Sequence, residues 1–133
     1  MAVSNPYQAY QENSVLTASP GDLTLMLYNG CLKFLNLAKK AIEEKNITEK
    51  NTNLQKAQNI INELMVTLNM DIEISKQMMA LYDFVRTKLI EANVKNDLAA
   101  LEEAESIMTD FRDTWKEVIK LNRQQTYTKD GQV

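Results

Sequence analysis

The side chains that could do chemistry in this sequence are few and lie on separate stretches. Three carboxylates are clustered at Glu102, Glu103 and Glu105, and paired carboxylates can serve as general acid and base. A helix through this stretch places them on its charged, solvent-facing side with no acid/base partner, so we interpret them as surface charges. The single cysteine, Cys31, stands among apolar residues, where a small buried hydrophobe is more typical than a nucleophile.

The composition weighs against several classes of function. Histidine is absent, so the Glu-x-x-His di-iron site of many helical bundles cannot be built. The sequence has no Gly-rich phosphate loop, no Ser-His-Asp set and no CxxC motif. The net charge is −3 with no basic stripe, which argues against a phosphate-binding surface. We therefore predict a protein that is not an enzyme and that has no cofactor, metal, small-molecule substrate or nucleic-acid partner.

Length and hydropathy predict one domain over the 133 residues. We divide it into an N-terminal segment (1–18), a bundle (19–122) and a polar tail (123–133). The first residues lack the basic start and apolar run of a secretory signal. No apolar segment is long enough to span a bilayer. We expect a cytoplasmic protein without membrane insertion.

The shortage of turn formers, three glycines and two prolines, favours a few long helices. Apolar residues recur at three-and-four spacing over about 19–42, 52–70, 74–92 and 97–122. Ser19 and Pro20 form a helix start signal, as N-cap and first helical residue. We expect a loop over 43–51, a left-handed C-terminal cap at Asn93, and Asn96 or Asp97 as the cap of the fourth helix. The pattern predicts an all-α fold: an antiparallel up-down four-helix bundle with a flexible N-terminal segment and a disordered C-terminal tail.

The first helix is more apolar than one core stripe requires, because its polar residues fall mostly in a sector of about 60° on the helical wheel. It is either buried on several sides, or one side packs the core and the other binds a partner. Seven methionines also suit an adaptable binding surface. The inner stripes of the later helices are predicted to include Met78, Leu81, Tyr82, Phe84, Val85, Leu89, Ile107, Phe111, Trp115 and Val118.

Several blocks of the sequence, in this order and spacing, resemble the FliS family of flagellar secretion chaperones. They are Tyr7 with Ala9-Tyr10, Val15 with Thr17-Ala18-Ser19-Pro20-Gly21, Leu25-Met26-Leu27-Tyr28 with Gly30, Leu81-Tyr82-Asp83-Phe84, Leu89 with Ala92-Asn93, and Trp115. The resemblance covers roughly residues 7–122. It implies a four-helix bundle that binds the C-terminal segment of flagellin, prevents its premature polymerisation and supports its delivery to the flagellar type III export apparatus.

We predict the flagellin contacts on apolar residues outside the core stripes: Leu25, Tyr28, Leu32, Leu35, Val66, Met70, Met79 and Ile90. The wheel alone does not separate a docking surface from a second layer of core. The resemblance also implies that the N-terminal segment covers the apolar groove and contributes to docking at the export gate, with Tyr7, Tyr10, Val15 and Leu16 as candidates. The alternative is a non-catalytic helical-bundle adaptor or regulator that binds another amphipathic protein segment.

Overall fold

The computed structural model describes the backbone of residues 20–131 and the side chains of residues 21–123. Within that range the chain forms four α-helices and no strand: α1 (Pro20–Glu43), α2 (Ile47–Thr67), α3 (Glu73–Lys95) and α4 (Leu98–Gly131). Each helix packs against its neighbours in sequence, and α1 also packs against α4. The connections are short, so consecutive helices run antiparallel. The prediction of an all-α up-down bundle is confirmed.

The start of α2 is set by a local cap. Asn46 has extended backbone angles, and its side chain accepts a hydrogen bond from the backbone N–H of Glu49 at 3.1 Å. This is the usual N-cap arrangement. The helix therefore begins at Ile47, and the predicted loop over 43–51 is shorter than expected, at 44–46.

The turn between α3 and α4 uses two neighbouring caps. Asn96, with φ of 52°, ends α3 in the left-handed conformation, which asparagine tolerates better than most residues. The prediction placed this role on Asn93, one turn too early. Asp97 caps α4, because its side chain accepts a hydrogen bond from the backbone N–H of Ala100 at 3.1 Å. It is one of the two residues predicted for this cap.

The start of α1 agrees with the predicted bound, whereas the end of α4 does not. Pro20 is the first helical residue of α1, as predicted, whereas Ser19 lies outside the described residues. The fourth helix runs on to Gly131 instead of ending near Asn122. No proline or glycine interrupts 123–130, so nothing local ends the helix before Gly131.

The core is a single cluster drawn from all four helices. Its buried members are Leu27, Tyr28, Cys31, Leu32, Phe34, Leu35, Ala38, Leu54, Ala57, Ile60, Ile61, Leu64, Tyr82, Val85, Leu89, Ala92, Ala100, Leu101, Ala104 and Met108. Tyr28, Leu32 and Leu35 were predicted to face outward on α1, and that prediction is wrong. Because α2 and α4 both pack against α1, its two apolar faces are covered, so α1 is a helix buried on several sides.

The inner stripe of α3 is narrower than predicted. Tyr82, Val85 and Leu89 are buried, but Leu81 and Phe84 are among the exposed large hydrophobic residues. The buried residues of α3 form one stripe along the helix, and these two residues lie beside that stripe. The apolar surface that Leu81 leaves open lies next to α4.

Candidate functional site

An open apolar groove lies between the first half of α3 and the middle of α4, with a cavity volume of about 520 Å³. We call it the α3–α4 groove. It is lined by Tyr28, Ile74, Gln77, Met78, Leu81, Ile107, Asp110, Phe111, Thr114, Trp115 and Val118. A volume of this size with a mainly apolar lining and a few polar groups is typical of a binding site.

The two walls of the groove are regular helical stripes. On α3 the apolar residues Ile74, Met78 and Leu81 follow one another at spacings of four and three, and Ile74 and Leu81 are 55% and 42% exposed. The α4 wall extends from Ile107 to Val118, about 16 Å at 1.5 Å per residue. Two such stripes side by side match the apolar face of about three helical turns of another segment.

The rings of Tyr28 and Phe111 form the floor, and Tyr82 packs against Phe111 from the core side. The Tyr28 and Phe111 rings are stacked with their centroids 5.8 Å apart, and those of Tyr82 and Phe111 are 4.9 Å apart. The Tyr28 and Tyr82 hydroxyl oxygens are 2.6 Å apart, in a buried hydrogen bond. Contacts of this kind hold the rings in place, so the floor is rigid while the upper walls remain accessible.

Trp115 connects the groove to the start of α1. Its indole Nε1–H donates to the backbone carbonyl of Gly21 at 2.9 Å. Near the same end, Arg123 Nη2 lies 2.8 Å from Asp22 Oδ1. The carbonyl of Gly21 belongs to the first turn of α1, and the tryptophan is thereby fixed with one side packed on the core and the other lining the groove.

The structure distributes the predicted flagellin contacts over different parts of the surface. Val66 and Met70 are exposed at the end of α2 and in the following turn. Ile90 is exposed and Met79 is half-buried. Both are at helical spacing from Arg86, whose Nη1 donates to Asn62 of α2 at 3.0 Å, so they lie on the side of α3 that faces α2.

Leu25 lies elsewhere again, in a smaller pocket of about 300 Å³ between α1 and α4. The pocket is also lined by Asp22, Lys116, Ile119, Lys120 and Arg123. Of the eight predicted flagellin contacts, only Tyr28 lines the α3–α4 groove. Tyr7, Tyr10, Val15 and Leu16 lie outside the described residues.

Sequence reasoning missed the groove because it assigned the groove's walls to the core. Met78, Leu81, Phe111, Trp115 and Val118 all stood in predicted inner stripes. The sequence did contain a sign of the groove, because α3 and α4 each carry more apolar residues than the buried face of one helix can hold. Which residues are left over depends on how the helices are rotated, and periodicity does not specify that rotation.

Three of the four residues first considered for chemistry, Glu103, Glu105 and Cys31, have structural roles. Glu105 pairs with Lys39 at 3.5 Å and Glu103 with Lys88 at 3.1 Å. The hydrogen bond to Glu103 raises the pKa of Lys88. Cys31 is buried, as predicted, and burial raises the pKa of its thiol to about 12. Among the described residues no three His, Cys, Asp or Glu side chains are grouped to hold a metal ion, and no helix there is long and apolar enough to cross a membrane.

A helical bundle with an open apolar groove on a rigid aromatic floor belongs to the class of helical binding modules. Comparison with known proteins shows to which family of such modules the chain belongs. A family model described as "Flagellar protein FliS" matches residues 3–122. The chain belongs to the FliS family and is a flagellar export chaperone by that membership.

Individual relatives agree with this assignment over nearly the whole chain. The flagellar secretion chaperone FliS of Bacillus subtilis is 56% identical over 131 residues, which cover 98% of each chain. The protein of the same name from Escherichia coli is 38% identical, with 80% of each chain covered. A bacterial flagellar chaperone of known crystal structure shares the fold, with a TM-score of 0.71 at 20% identity over 86% of this chain and 95% of that one.

Proposed function

We propose that this protein binds the C-terminal segment of flagellin in the cytosol, prevents its premature polymerisation and hands it to the flagellar export apparatus. The observation that carries the proposal is the α3–α4 groove. An apolar groove that stays open in a folded bundle suits a partner that supplies an apolar face of its own. Family membership identifies the kind of partner: flagellar proteins bound for secretion.

The dimensions and chemistry of the groove support an amphipathic segment as the occupant. Its parallel apolar stripes are complementary to residues at i, i+3, i+4 and i+7 of a helix. Gln77, Asp110 and Thr114 also line it and offer hydrogen bonds to the polar side of such a segment. Because a disordered segment must fold on binding, its ordering offsets part of the interaction energy, which suits a complex that must later release its cargo.

The contacts predicted on Leu25, Val66, Met70, Met79 and Ile90 extend this proposal beyond the groove. They lie on other parts of the bundle surface, so a segment reaching them would have to continue around the bundle after leaving the groove. Tyr28, Leu32 and Leu35 are core residues. Of these three, only Tyr28 lines the groove.

A pair of aspartate substitutions on α3 tests the groove directly. Leu81 lines the groove, whereas Val94 is an exposed apolar residue near the end of the same helix and does not. We expect Leu81→Asp to weaken binding of a peptide from the flagellin C-terminal segment by tenfold or more, since about 1.4 kcal/mol corresponds to tenfold, and an anchor residue commonly contributes more than this. Val94→Asp should bind like the wild type.

Isothermal titration calorimetry measures both affinities and also the heat-capacity change. Saturable binding with a clearly negative heat-capacity change would indicate apolar burial coupled to ordering of the peptide. Equal weakening by both substitutions would place the site elsewhere. A wild type that is folded by circular dichroism and still binds no flagellin peptide would contradict the proposed function. That result would favour an adaptor that binds another amphipathic protein segment.

The proposal includes a role for the N-terminal segment. Tyr7, Tyr10, Val15 and Leu16 supply more apolar area than a solvated tail requires. In the proposed mechanism this segment competes with the cargo for the groove and takes part in docking at the export gate. A deletion that tests the competition is described in the Discussion.

A further inference from the structure

At the floor of the α3–α4 groove, two tyrosine hydroxyls share one hydrogen bond that uses only one of their two hydrogens. The Tyr28 and Tyr82 side chains are each only 1% exposed, and their hydroxyl oxygens are 2.6 Å apart. Each phenol has one O–H to donate and an oxygen that accepts. A single hydrogen bond between them uses one hydrogen and leaves the other.

Both hydroxyls are protonated over the physiological range, since burial raises the pKa of Tyr28 and of Tyr82. The spare hydrogen therefore exists in the free protein. Among the described residues neither hydroxyl has a hydrogen bond other than the one between them. A buried donor without an acceptor is unfavourable by more than the bond itself would contribute.

The surroundings of the two rings determine where that hydrogen can find a partner. Tyr28 lines the groove, whereas Tyr82 does not and is enclosed by core residues. If Tyr28 donated to Tyr82, the spare hydrogen would be directed into apolar core. If Tyr82 donates to Tyr28, the spare hydrogen belongs to the residue that borders the groove. The second arrangement is favoured because the first leaves the Tyr82 donor in apolar core, without an acceptor among the described residues.

We propose that the Tyr28 hydroxyl donates a hydrogen bond to a carbonyl oxygen of the bound segment and thereby sets its register in the groove. This inference rests on the proposed function, because it requires the flagellin C-terminal segment as the occupant. The other lining residues near the floor, such as Met78, Ile107 and Phe111, offer no comparable donor. A carbonyl on an otherwise apolar face of the segment is thereby held at one position along the groove. If the segment slid along the groove, this carbonyl and the Tyr28 hydroxyl would both be buried without a hydrogen-bond partner.

Two substitutions that remove the same internal hydrogen bond separate this role from a structural one. Tyr28→Phe and Tyr82→Phe each delete one buried hydroxyl from one pair, so both should lower the melting temperature, Tyr28→Phe somewhat more because it leaves the Tyr82 hydroxyl unpaired in the core. The affinities for the flagellin peptide should differ. Tyr28→Phe removes the donor to the cargo and should weaken binding about five- to tenfold, whereas Tyr82→Phe keeps that donor and should change the dissociation constant by less than about twofold.

A peptide series identifies the acceptor. Replacing each Asn or Gln of the peptide in turn by Leu should, at one position, abolish the difference between the wild type and Tyr28→Phe if the acceptor is a side-chain amide. If the difference persists at every position, the acceptor is a main-chain carbonyl. Equal affinities of Tyr28→Phe and Tyr82→Phe, or wild-type affinity of Tyr28→Phe, would overturn the inference while leaving the proposed function intact. Absence of wild-type binding would instead overturn the proposed function.

Discussion

The Lys50 ammonium donates a hydrogen bond to the backbone carbonyl of Asn93, with Nζ and O 2.8 Å apart, and so joins the start of α2 to the end of α3. The same ammonium donates to the side-chain carbonyl of Asn96, the left-handed residue that ends α3. Lys50 is only 5% exposed. A cation at this position satisfies a carbonyl of the last helical turn and is favoured by the helix dipole.

Replacing this lysine should destabilise the bundle. Lys50→Met keeps the length of the side chain but leaves the Asn93 carbonyl without its partner, and a loss of about 1–3 kcal/mol in the free energy of unfolding is expected. Urea denaturation followed by circular dichroism measures this change. Lys76→Met, at an exposed position on α3, is the matched control and should stay within about 0.5 kcal/mol of the wild type. Equal effects of the two substitutions would contradict a capping role for Lys50.

Stability should fall at alkaline pH because of the buried thiol. Burial raises the pKa of Cys31 from 9.0 to about 12. Above the ordinary value the unfolded chain loses this proton first and binds fewer protons than the folded chain, so the free energy of unfolding decreases as pH rises from 9.0 towards 12. The raised pKa values of Tyr28 and Tyr82 act in the same direction.

Urea titrations at a series of alkaline pH values measure this decrease. Cys31→Ala removes the thiol, so its stability should decline less steeply with pH than that of the wild type. Parallel pH profiles would show that the thiol does not contribute. Iodoacetamide should also alkylate Cys31 slowly in the folded protein and quickly in denaturant, because only the thiolate reacts.

The single tryptophan offers a direct signal of groove occupancy. Trp115 lines the groove and is only half-buried in the free protein. An apolar segment that covers the indole should shift its emission to shorter wavelengths and protect it from acrylamide quenching. The titration should follow the calorimetric affinity, and Leu81→Asp should reduce the shift at the same peptide concentration. A saturated complex with unchanged emission would place the peptide outside the groove.

Removing the N-terminal segment should strengthen cargo binding if the segment competes for the groove. A chain lacking residues 2–14 loses Tyr7 and Tyr10 and no longer has to displace them, so its dissociation constant should be lower than that of the full chain. Calorimetry on both chains makes the comparison. Unchanged or weaker binding by the shortened chain would contradict a covering role.

Ile90 tests whether the bound segment continues beyond the groove. It is exposed on the side of α3 that faces α2, and the sequence places it among the flagellin contacts. If the contact exists, Ile90→Asp should weaken peptide binding about fivefold, as expected for loss of about 1 kcal/mol. Val94→Asp is again the reference. Identical affinities for the two variants would confine the interface to the groove.

The sequence by itself determined the helices and the family, and it limited the N-cap of α4 to two residues. Apolar residues at three-and-four spacing and the shortage of Gly and Pro specify helices, however those helices pack against one another. Asp97 was predicted as one of two candidate caps because its side chain can reach its own helix. Burial of Cys31 followed from its apolar neighbours. These features depend on contacts within a few residues, which a sequence displays directly.

Only the tertiary structure decided which apolar residues are core and which form a surface. Leu32 and Leu35 lie off the first stripe of α1, yet α4 and α2 cover both sides of that helix and bury them. Leu81 lies on the predicted inner stripe of α3, yet it is half-exposed in a groove. The reason is rotational: periodicity gives the relative directions of side chains on one helix, whereas their partners depend on how each helix is turned against its neighbours. The hydrogen bond between Tyr28 and Tyr82, whose residues are 54 positions apart, exists only once that packing is set.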